Sequence, residues 1–404
     1  YPVDIDDDVT MGGLSFTGVD GYDDTHYPIG LAVAPSSEGM SLRFSYQLGY
    51  MDDAVAGVLV EQLTALLGRL GGVGGVPLGG INTIIPEQEA AALLHASGPV
   101  VEHDAALLTL PCLFDAQSGK TPDAVALIYE DQHLSYGDLA SRSNQLARYL
   151  IERGVGPDAV VAVMLEPSAD RIISILGIMK AGGAYLPLDP EYPAQRLSFM
   201  IEDSGSVFVI SDGDLYAGLD TQDAVLPPQI DVYDAALLQQ LESLPDGVIA
   251  ASERLAPLQP DHLAYLIYTS GSTGTPKGAG NTYKGVSNSL SHMQDLLQLD
   301  ASDRVLQKTA IGFDGAVWEW FVPIMSGAQL VIAKPGGQKD LDYIIKMISE
   351  HTVTTLWFVP SMLSVFLEEL GADDCRSLRH VVAGGEALSG SLQQQTFDVL
   401  PLAK

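Results

Sequence analysis

The sequence predicts an α/β protein of mostly parallel sheets flanked by helices, preceded by a small α+β segment. Three features point there. From about residue 112 onward, short runs rich in Val, Ile and Leu alternate with helix-like stretches, the signature of parallel strands covered on both faces. Residues 1–80 have another texture, a strand pair followed by one long helix. Hydrophobic residues make up 47% of the 404 and charged residues 18%, which supports a large core and excludes global disorder.

The elements follow in order. Ile29-Gly-Leu-Ala-Val-Ala34 and Ser41-Leu-Arg-Phe-Ser-Tyr46 read as paired strands, separated by the turn-prone Pro35-Ser-Ser-Glu-Gly39. Met51 to Leu70 has apolar residues at helical spacing and stops at Gly71-Gly72. Residues 81–111 read as an inter-domain linker, with a helix expected from Pro86. Val125-Ala-Leu-Ile-Tyr129 is a strand. Ser135-Tyr-Gly-Asp138 has the spacing of a helix cap, and Leu139, Leu146 and Leu150 recur along the helix that follows. Val160-Val-Ala-Val-Met-Leu165 is a buried strand, and Ala169 to Met179 a helix stopped by Gly182-Gly183. Ala184–Leu188 and Val207–Ser211 are strands, with Leu197 to Ile201 in a helix between them. Further strands are expected at Leu263–Tyr268, Gln329–Ala333, Thr354–Val359 and His380–Ala383. No repeat or low-complexity tract is visible.

Twenty basic residues against 52 acidic give a formal charge of −32. Such a field repels nucleic acid and anionic membrane, so neither is expected as a partner. A nucleotide site on this chain needs its own local donors. Cys112 and Cys375 have neither disulfide nor zinc spacing, and two thiols fit a reducing, cytoplasmic setting. No metal site built from this chain's side chains is expected. No apolar run is long enough to span a bilayer. The opening Tyr1-Pro-Val-Asp lacks the features of a signal peptide and an initiator Met, so the chain is expected to be cut from a longer one.

The most informative string is Tyr268-Thr-Ser-Gly-Ser-Thr-Gly-Thr-Pro-Lys-Gly278, directly after a strand. Glycines let backbone N–H groups face an anion, the hydroxyls of Thr269, Ser270, Ser272 and Thr273 can donate to phosphate oxygens, and Lys277 adds a compact charge. The combination suits a clamp on phosphates. A generic Gly/Ser-rich loop is the plain alternative. It is not the Gly-x-x-x-x-Gly-Lys-Ser/Thr loop of P-loop NTPases, because Lys277 lies between Pro276 and Gly278. Ala279-Gly-Asn-Thr-Tyr-Lys-Gly285 reads as a continuation of the loop.

This string resembles the phosphate loop of the adenylate-forming superfamily, and most closely the adenylation domains of nonribosomal peptide synthetases. Other segments agree in order: Leu134-Ser-Tyr-Gly-Asp-Leu139 with Asn144-Gln-Leu-Ala147, Met179-Lys-Ala-Gly-Gly-Ala-Tyr-Leu-Pro-Leu-Asp189, Phe313-Asp-Gly-Ala-Val-Trp-Glu319, and Val382-Ala-Gly-Gly-Glu-Ala-Leu388. The resemblance covers residues 112–404, as the large N-terminal subdomain of such a domain. It implies a ligase that joins an amino-acid carboxylate to the α-phosphate of ATP, with Mg²⁺, releasing pyrophosphate. The acyl group then passes to the phosphopantetheine thiol of a carrier-protein domain.

By the same resemblance, Thr269, Ser270, Gly271, Ser272, Thr273, Gly274, Lys277, Gly384, Gly385 and Glu386 would bind nucleotide. Asp314 would receive the α-ammonium, while Gly315, Trp318, Trp357, Val381 and Ala383 would line the side-chain pocket, favouring an apolar or aromatic substrate. Read without the family, Asp314 is a helix cap in an apolar stretch and the others are core. Tyr283 stands where many relatives have His, which puts that contact in doubt. The Mg²⁺-binding Glu, the ribose-binding Asp and the catalytic Lys of the family are expected beyond Lys404, so no catalytic residue is assigned within the chain, which alone is expected to be inactive.

Residues 1–80, with Thr25-His-Tyr-Pro-Ile29, resemble the C-terminal part of a condensation domain, the expected upstream neighbour. His26 reads as structural. Partners implied are an amino acid, a carrier domain, the adjacent condensation domain and a small MbtH-like accessory protein. An acyl-CoA synthetase-like ligase and a non-catalytic docking fragment are the rival readings.

Overall fold

The structure, a computed structural model, describes residues 9–11, 14–16, 27–36, 39–72, 91–93, 109–220, 225–270, 275–371 and 374–403. It divides into two compact units, Tyr1–Glu102 and His103–Lys404.

In the first unit β1 (Val9–Met11) pairs antiparallel with β2 (Leu14–Phe16). β3 (Ile29–Ser36) and β4 (Gly39–Tyr46) form the expected antiparallel pair, with Leu31 opposite Phe44. Helix α1 (Asp53–Gly72) runs through the two glycines expected to stop it. Asp52 caps its start by accepting from Val55 N at 2.9 Å. The helix expected from Pro86 begins outside the described residues, as does His26.

The second unit holds two six-stranded sheets. The first has the order β6 (Gln132–Ser135), β5 (Val125–Tyr129), β14 (Gln329–Ile332), β13 (Arg304–Gln307), β15 (Thr355–Phe358), β16 (His380–Ala383). The second runs β12 (Lys277–Thr282), β11 (Leu263–Thr269), β8 (Ala184–Pro187), β7 (Val160–Met164), β9 (Phe208–Ser211), β10 (Gln229–Asp231). All neighbours are parallel except the edge strands β6 and β12.

The layers follow from strand alternation, which sends successive side chains to opposite faces. Every residue of β7 is buried. Val161 and Val163 join a central core, whereas Val160, Ala162 and Met164 join an outer one. The central core fills the space between the sheets with helices α2 (Leu110–Lys120), α3 (Tyr136–Glu152), α4 (Ala169–Ala181), α8 (Tyr283–Leu297) and α9 (Gly315–Ser326). The outer face of the second sheet is covered by α5 (Ala194–Asp203) with the short α6 (Gly213–Ala217) beside it, whereas α7 (Ala235–Glu242) packs on α3 and places Leu237 in the central core. The outer face of the first sheet carries α10 (Leu341–His351) and α11 (Pro360–Glu369), with α12 (Gly390–Val399) following β16. The result is a helix–sheet–helix–sheet–helix stack of the α/β class that the sequence predicts.

Local signals behave as expected. Ser135 and Asp138 form a reciprocal capping box at α3. Gly182 ends α4 with φ +99°, a conformation that favours glycine. Ala279–Gly285 differs from expectation, since β12 extends to Thr282 and α8 begins at Tyr283. Pairing with β11 makes this polar stretch a strand. Cys112 is exposed and Cys375 buried, both as free thiols. Among the described residues no helix is long and apolar enough to cross a membrane.

Candidate functional site

The two ends of the glycine-rich string lie on the antiparallel strands β11 and β12. Thr269 pairs with Lys277 and Tyr268 with Gly278. Gly278 packs closely there: a Cβ would lie 3.1 Å from Cζ of Tyr268, so the ring would have to shift to admit one. The Tyr268 hydroxyl donates to Asp203 Oδ2 at 2.6 Å and anchors β11 to α5. Burial, reinforced by Asp203, pushes that phenol far above its ordinary range. Thr269, Ser270 and Lys277 are exposed, and Lys277 has no carboxylate partner among the described residues. Gly271, Ser272, Thr273 and Gly274 lie outside the described residues.

Tyr283 is fully buried at the start of α8, and its hydroxyl donates to Gly183 O at 2.9 Å. It locks the α4–β8 turn and is not available at the loop.

At the end of β16, Gly384 N donates to Phe358 O at 3.1 Å. Gly385 has φ +85° and turns the chain away. The Glu386 carboxylate accepts from Ser361 N at 2.9 Å and Ser361 Oγ at 3.1 Å. It therefore caps α11, whose own N-cap Val359 offers no acceptor side chain. This Glu, expected at the nucleotide, serves a helix end here, and its exposed carboxylate keeps further acceptor sites.

Asp314 occupies the N-cap position of α9 but makes no capping hydrogen bond. It is exposed rather than buried among the apolar residues that flank it in sequence. The helical turn sends Ala316 and Val317 inward and leaves Phe313 and Asp314 outside. The carboxylate has no hydrogen bond or ion pair among the described residues. Its charge is felt by Tyr265 of β11, whose phenol is pushed up to about 12, chiefly by burial and then by Asp314.

Beside Asp314 three expected residues meet. A Cβ on Gly315 would sit 3.3 Å from Cη2 and Cζ2 of Trp357, and one on Gly384 would sit 3.2 Å from its Nε1. The indole therefore lies between two glycines, one on α9 and one after β16. Trp318 is buried in the central core, against which Trp357 packs. Val381 and Ala383 do not join this group. The β15–β16 register pairs Trp357 with Val382, Leu356 with Val381 and Phe358 with Ala383. Paired residues share a face, so Val382 packs with Trp357 on the central core. Val381 and Ala383 pack on the outer core. The two expected residues thus lie on the opposite face of β16 from Val382.

The loop leading to Asp314 is tied down at its start. Glu319 of α9 is fully buried and accepts from Thr309 N at 3.0 Å, Lys308 N at 3.3 Å and Thr309 Oγ1 at 2.6 Å. Burial raises its carboxyl, and Lys308 and these donors oppose the rise. Lys308 is shifted down by burial, with Glu319 acting against that. A small cleft of about 30 Å³ flanks the loop, lined by Glu166, Arg171, Asp189, Gln307, Lys308 and Lys334 among others, and its lining includes neither Asp314 nor Lys277. Among the described residues no group of three His, Cys, Asp or Glu side chains is placed to hold a metal ion.

Sequence reasoning missed Val382 and Tyr265 beside the site and the Glu319 clamp. The spacing of Asp314 and Glu319 on one helix was visible. The partner loop was not.

The AMP-binding enzyme family matches residues 114–403. Tyrocidine synthase 3 of Brevibacillus parabrevis is 36% identical over 321 residues, 80% of this chain and 5% of that protein. Phosphinothricin tripeptide synthetase PhsB of Streptomyces viridochromogenes is 36% identical over 383 residues, 93% of this chain and 31% of that protein. The chain thus spans a small part of the length of these relatives. Among solved structures, the AMPPNP-bound form of the nonribosomal peptide synthetase FmoA3 superposes with a TM-score of 0.72 at 24% identity, over 93% of this chain and 39% of that one. That likeness speaks to the fold.

Proposed function

The chain belongs to the AMP-binding enzyme family, and on that premise we propose that it serves a modular peptide synthetase by activating an amino acid with ATP. The observation that carries this reading is the Asp314 carboxylate. It is exposed, unpaired among the described residues, and beside the Gly315–Trp357–Gly384 contact. A free carboxylate at the mouth of a site built on glycine and tryptophan suits an α-ammonium. A fatty acid or acetate has no cation to place there.

Gly315, Trp318, Trp357, Val382 and Gly384 form the side-chain pocket in this proposal, with Val382 and Gly384 replacing Val381 and Ala383. Its apolar, aromatic character favours an apolar or aromatic amino acid. The polyphosphate of ATP is assigned to the glycine-rich string between β11 and β12. Exposed Lys277 and the Thr269 and Ser270 hydroxyls supply charge and donors, and Gly271, Ser272, Thr273 and Gly274 are assigned the same ligand from the motif alone. Gly384 and Gly385 offer backbone to the adenine side, whereas Glu386 acts by holding the α11 end in place. In the reaction the amino-acid carboxylate displaces pyrophosphate from the α-phosphate, and a carrier-domain phosphopantetheine thiol then takes the acyl group from AMP. Mg²⁺ neutralises polyphosphate charge when bound. No described side chain is assigned to hold it, and no step is derived through it.

We assign residues 1–80 to the end of a condensation domain, 81–111 to a linker and 112–404 to the large adenylation subdomain. The match of phosphinothricin tripeptide synthetase PhsB across 93% of the chain, well beyond the residues of the AMP-binding family alone, supports one continuous module. A cytoplasmic setting and an MbtH-like partner belong to the same proposal. The test is ATP–pyrophosphate exchange by the full-length protein against panels of amino acids and fatty acids. Stimulation by an apolar or aromatic amino acid is expected. Stimulation by fatty acids alone would favour the acyl-CoA synthetase-like reading, and none at all would favour a docking fragment.

A further inference from the structure

Asp314 has little to hold it. It makes no cap bond, its neighbour Phe313 is 59% exposed, and the loop just before it reaches the protein surface. What fixes the carboxylate must act at the ends of the loop. One end is α9 itself. The other is the exit of β13, where Glu319 grips Lys308 and Thr309.

A fully buried carboxylate is costly unless donors surround it. Glu319 meets that condition through two backbone N–H groups and one hydroxyl, all from the loop entry. The exchange is mutual. Thr309 is itself only 9% exposed, so without Glu319 its N–H loses its partner in a place water reaches poorly. Further contacts extend the clamp. Gln307 Nε2 donates to Thr309 O at 2.7 Å, and Arg171 Nη2 donates to Gln307 Oε1 at 2.9 Å. Lys308 Nζ stands 4.4 Å from the Phe358 ring centroid and 5.8 Å from that of Trp357. Glu319 is thus linked to both walls of the site, through α9 to Asp314 and Gly315, and through Lys308 to Trp357.

We propose that Glu319 is a positioning residue for amino-acid binding: it pins residues 308–309 to α9 and so fixes the spacing between the Asp314 carboxylate and the Trp357 wall. It touches no substrate. The inference rests on the reading of Asp314 as the ammonium site.

The test uses the full-length protein with Glu319→Leu and, as a milder variant, Thr309→Val. Glu319→Leu keeps much of the bulk and removes both acceptor oxygens, whereas Gln could still accept both N–H groups with its amide oxygen and donate to the Thr309 hydroxyl. Thr309→Val removes the hydroxyl bond and leaves both N–H bonds. Hydrogen–deuterium exchange across 304–326 and exchange kinetics at varied amino acid and varied ATP are measured together. Glu319→Leu should speed amide exchange at 308–314 without changing β13 or the second half of α9. It should raise the amino-acid KM about tenfold and leave the ATP KM within about twofold. Thr309→Val should shift the amino-acid KM the same way by about threefold. Unchanged amide exchange at 308–314 overturns the clamp. Faster loop exchange with an unchanged amino-acid KM, or an equal rise in both KM values, overturns the positioning role. If the unmodified protein shows no amino-acid dependence, the ammonium reading of Asp314 fails and the positioning role fails with it, while amide exchange still reports on the clamp.

Discussion

Trp357 and Val382 stand opposite each other across the parallel strands β15 and β16, and both face the central core. Val381, one residue earlier, faces the outer core beneath α10 and α11. Adjacent valines on one strand therefore have separable roles. Val382→Phe should press bulk against the indole and raise the amino-acid KM by about tenfold, with the ATP KM unchanged. Val381→Ala should lower stability by about 1 kcal/mol and leave amino-acid selectivity alone. Kinetics and melting of the two variants decide this. Loss of selectivity in Val381→Ala would put β16 in the opposite phase.

Lys180, within one of the motif-like segments, is a support and not a catalyst. Its side chain is fully buried, with the amine 2.8 Å from Asp115 Oδ1 and 2.6 Å from Asn144 Oδ1. Burial pushes the amine down, and Asp115 holds it up. Removing Asp115 strands the cation between α2, α3 and α4. Asp115→Ala should cost about 3 kcal/mol by thermal or urea unfolding, without a selective change in either substrate KM.

The capping box of α3 gives a prediction in pH. The Ser135 hydroxyl and N–H hold the Asp138 carboxyl below its ordinary 3.8. A depressed folded pKa adds stability that is present above the ordinary value and lost as pH falls through the depressed one. Asp138→Ala should cost about 1 kcal/mol near neutral pH. The gap between the two proteins should close as pH drops below 3.8. A gap that widens in acid would contradict the assigned sign.

The sheets were legible because strands buried on both faces write themselves as unbroken apolar runs, as in Val160–Met164. The edge strand Lys277–Thr282 was not, because Lys-Gly-Ala-Gly-Asn-Thr carries no such run and becomes a strand only beside β11. The phase of β16 was hidden for a similar reason. Which valine faces inward depends on the register with β15, a contact between strands separated in sequence by a whole helix. The apolar neighbours of Asp314 suggested burial, yet helix geometry turned them inward and left the carboxylate out. Glu386 matched a motif, and its two bonds from Ser361, a helix-end role, were not legible there. Motif identity carried the family, and only contact geometry shows what each motif residue touches.

The most direct measurement of the central claim is amino-acid-dependent ATP–pyrophosphate exchange by the full-length protein carrying Asp314→Ala. Loss of the charge that meets the α-ammonium should cut kcat/KM for the amino acid by about a hundredfold or more, with the ATP KM within about twofold. Full amino-acid stimulation in Asp314→Ala would contradict the account.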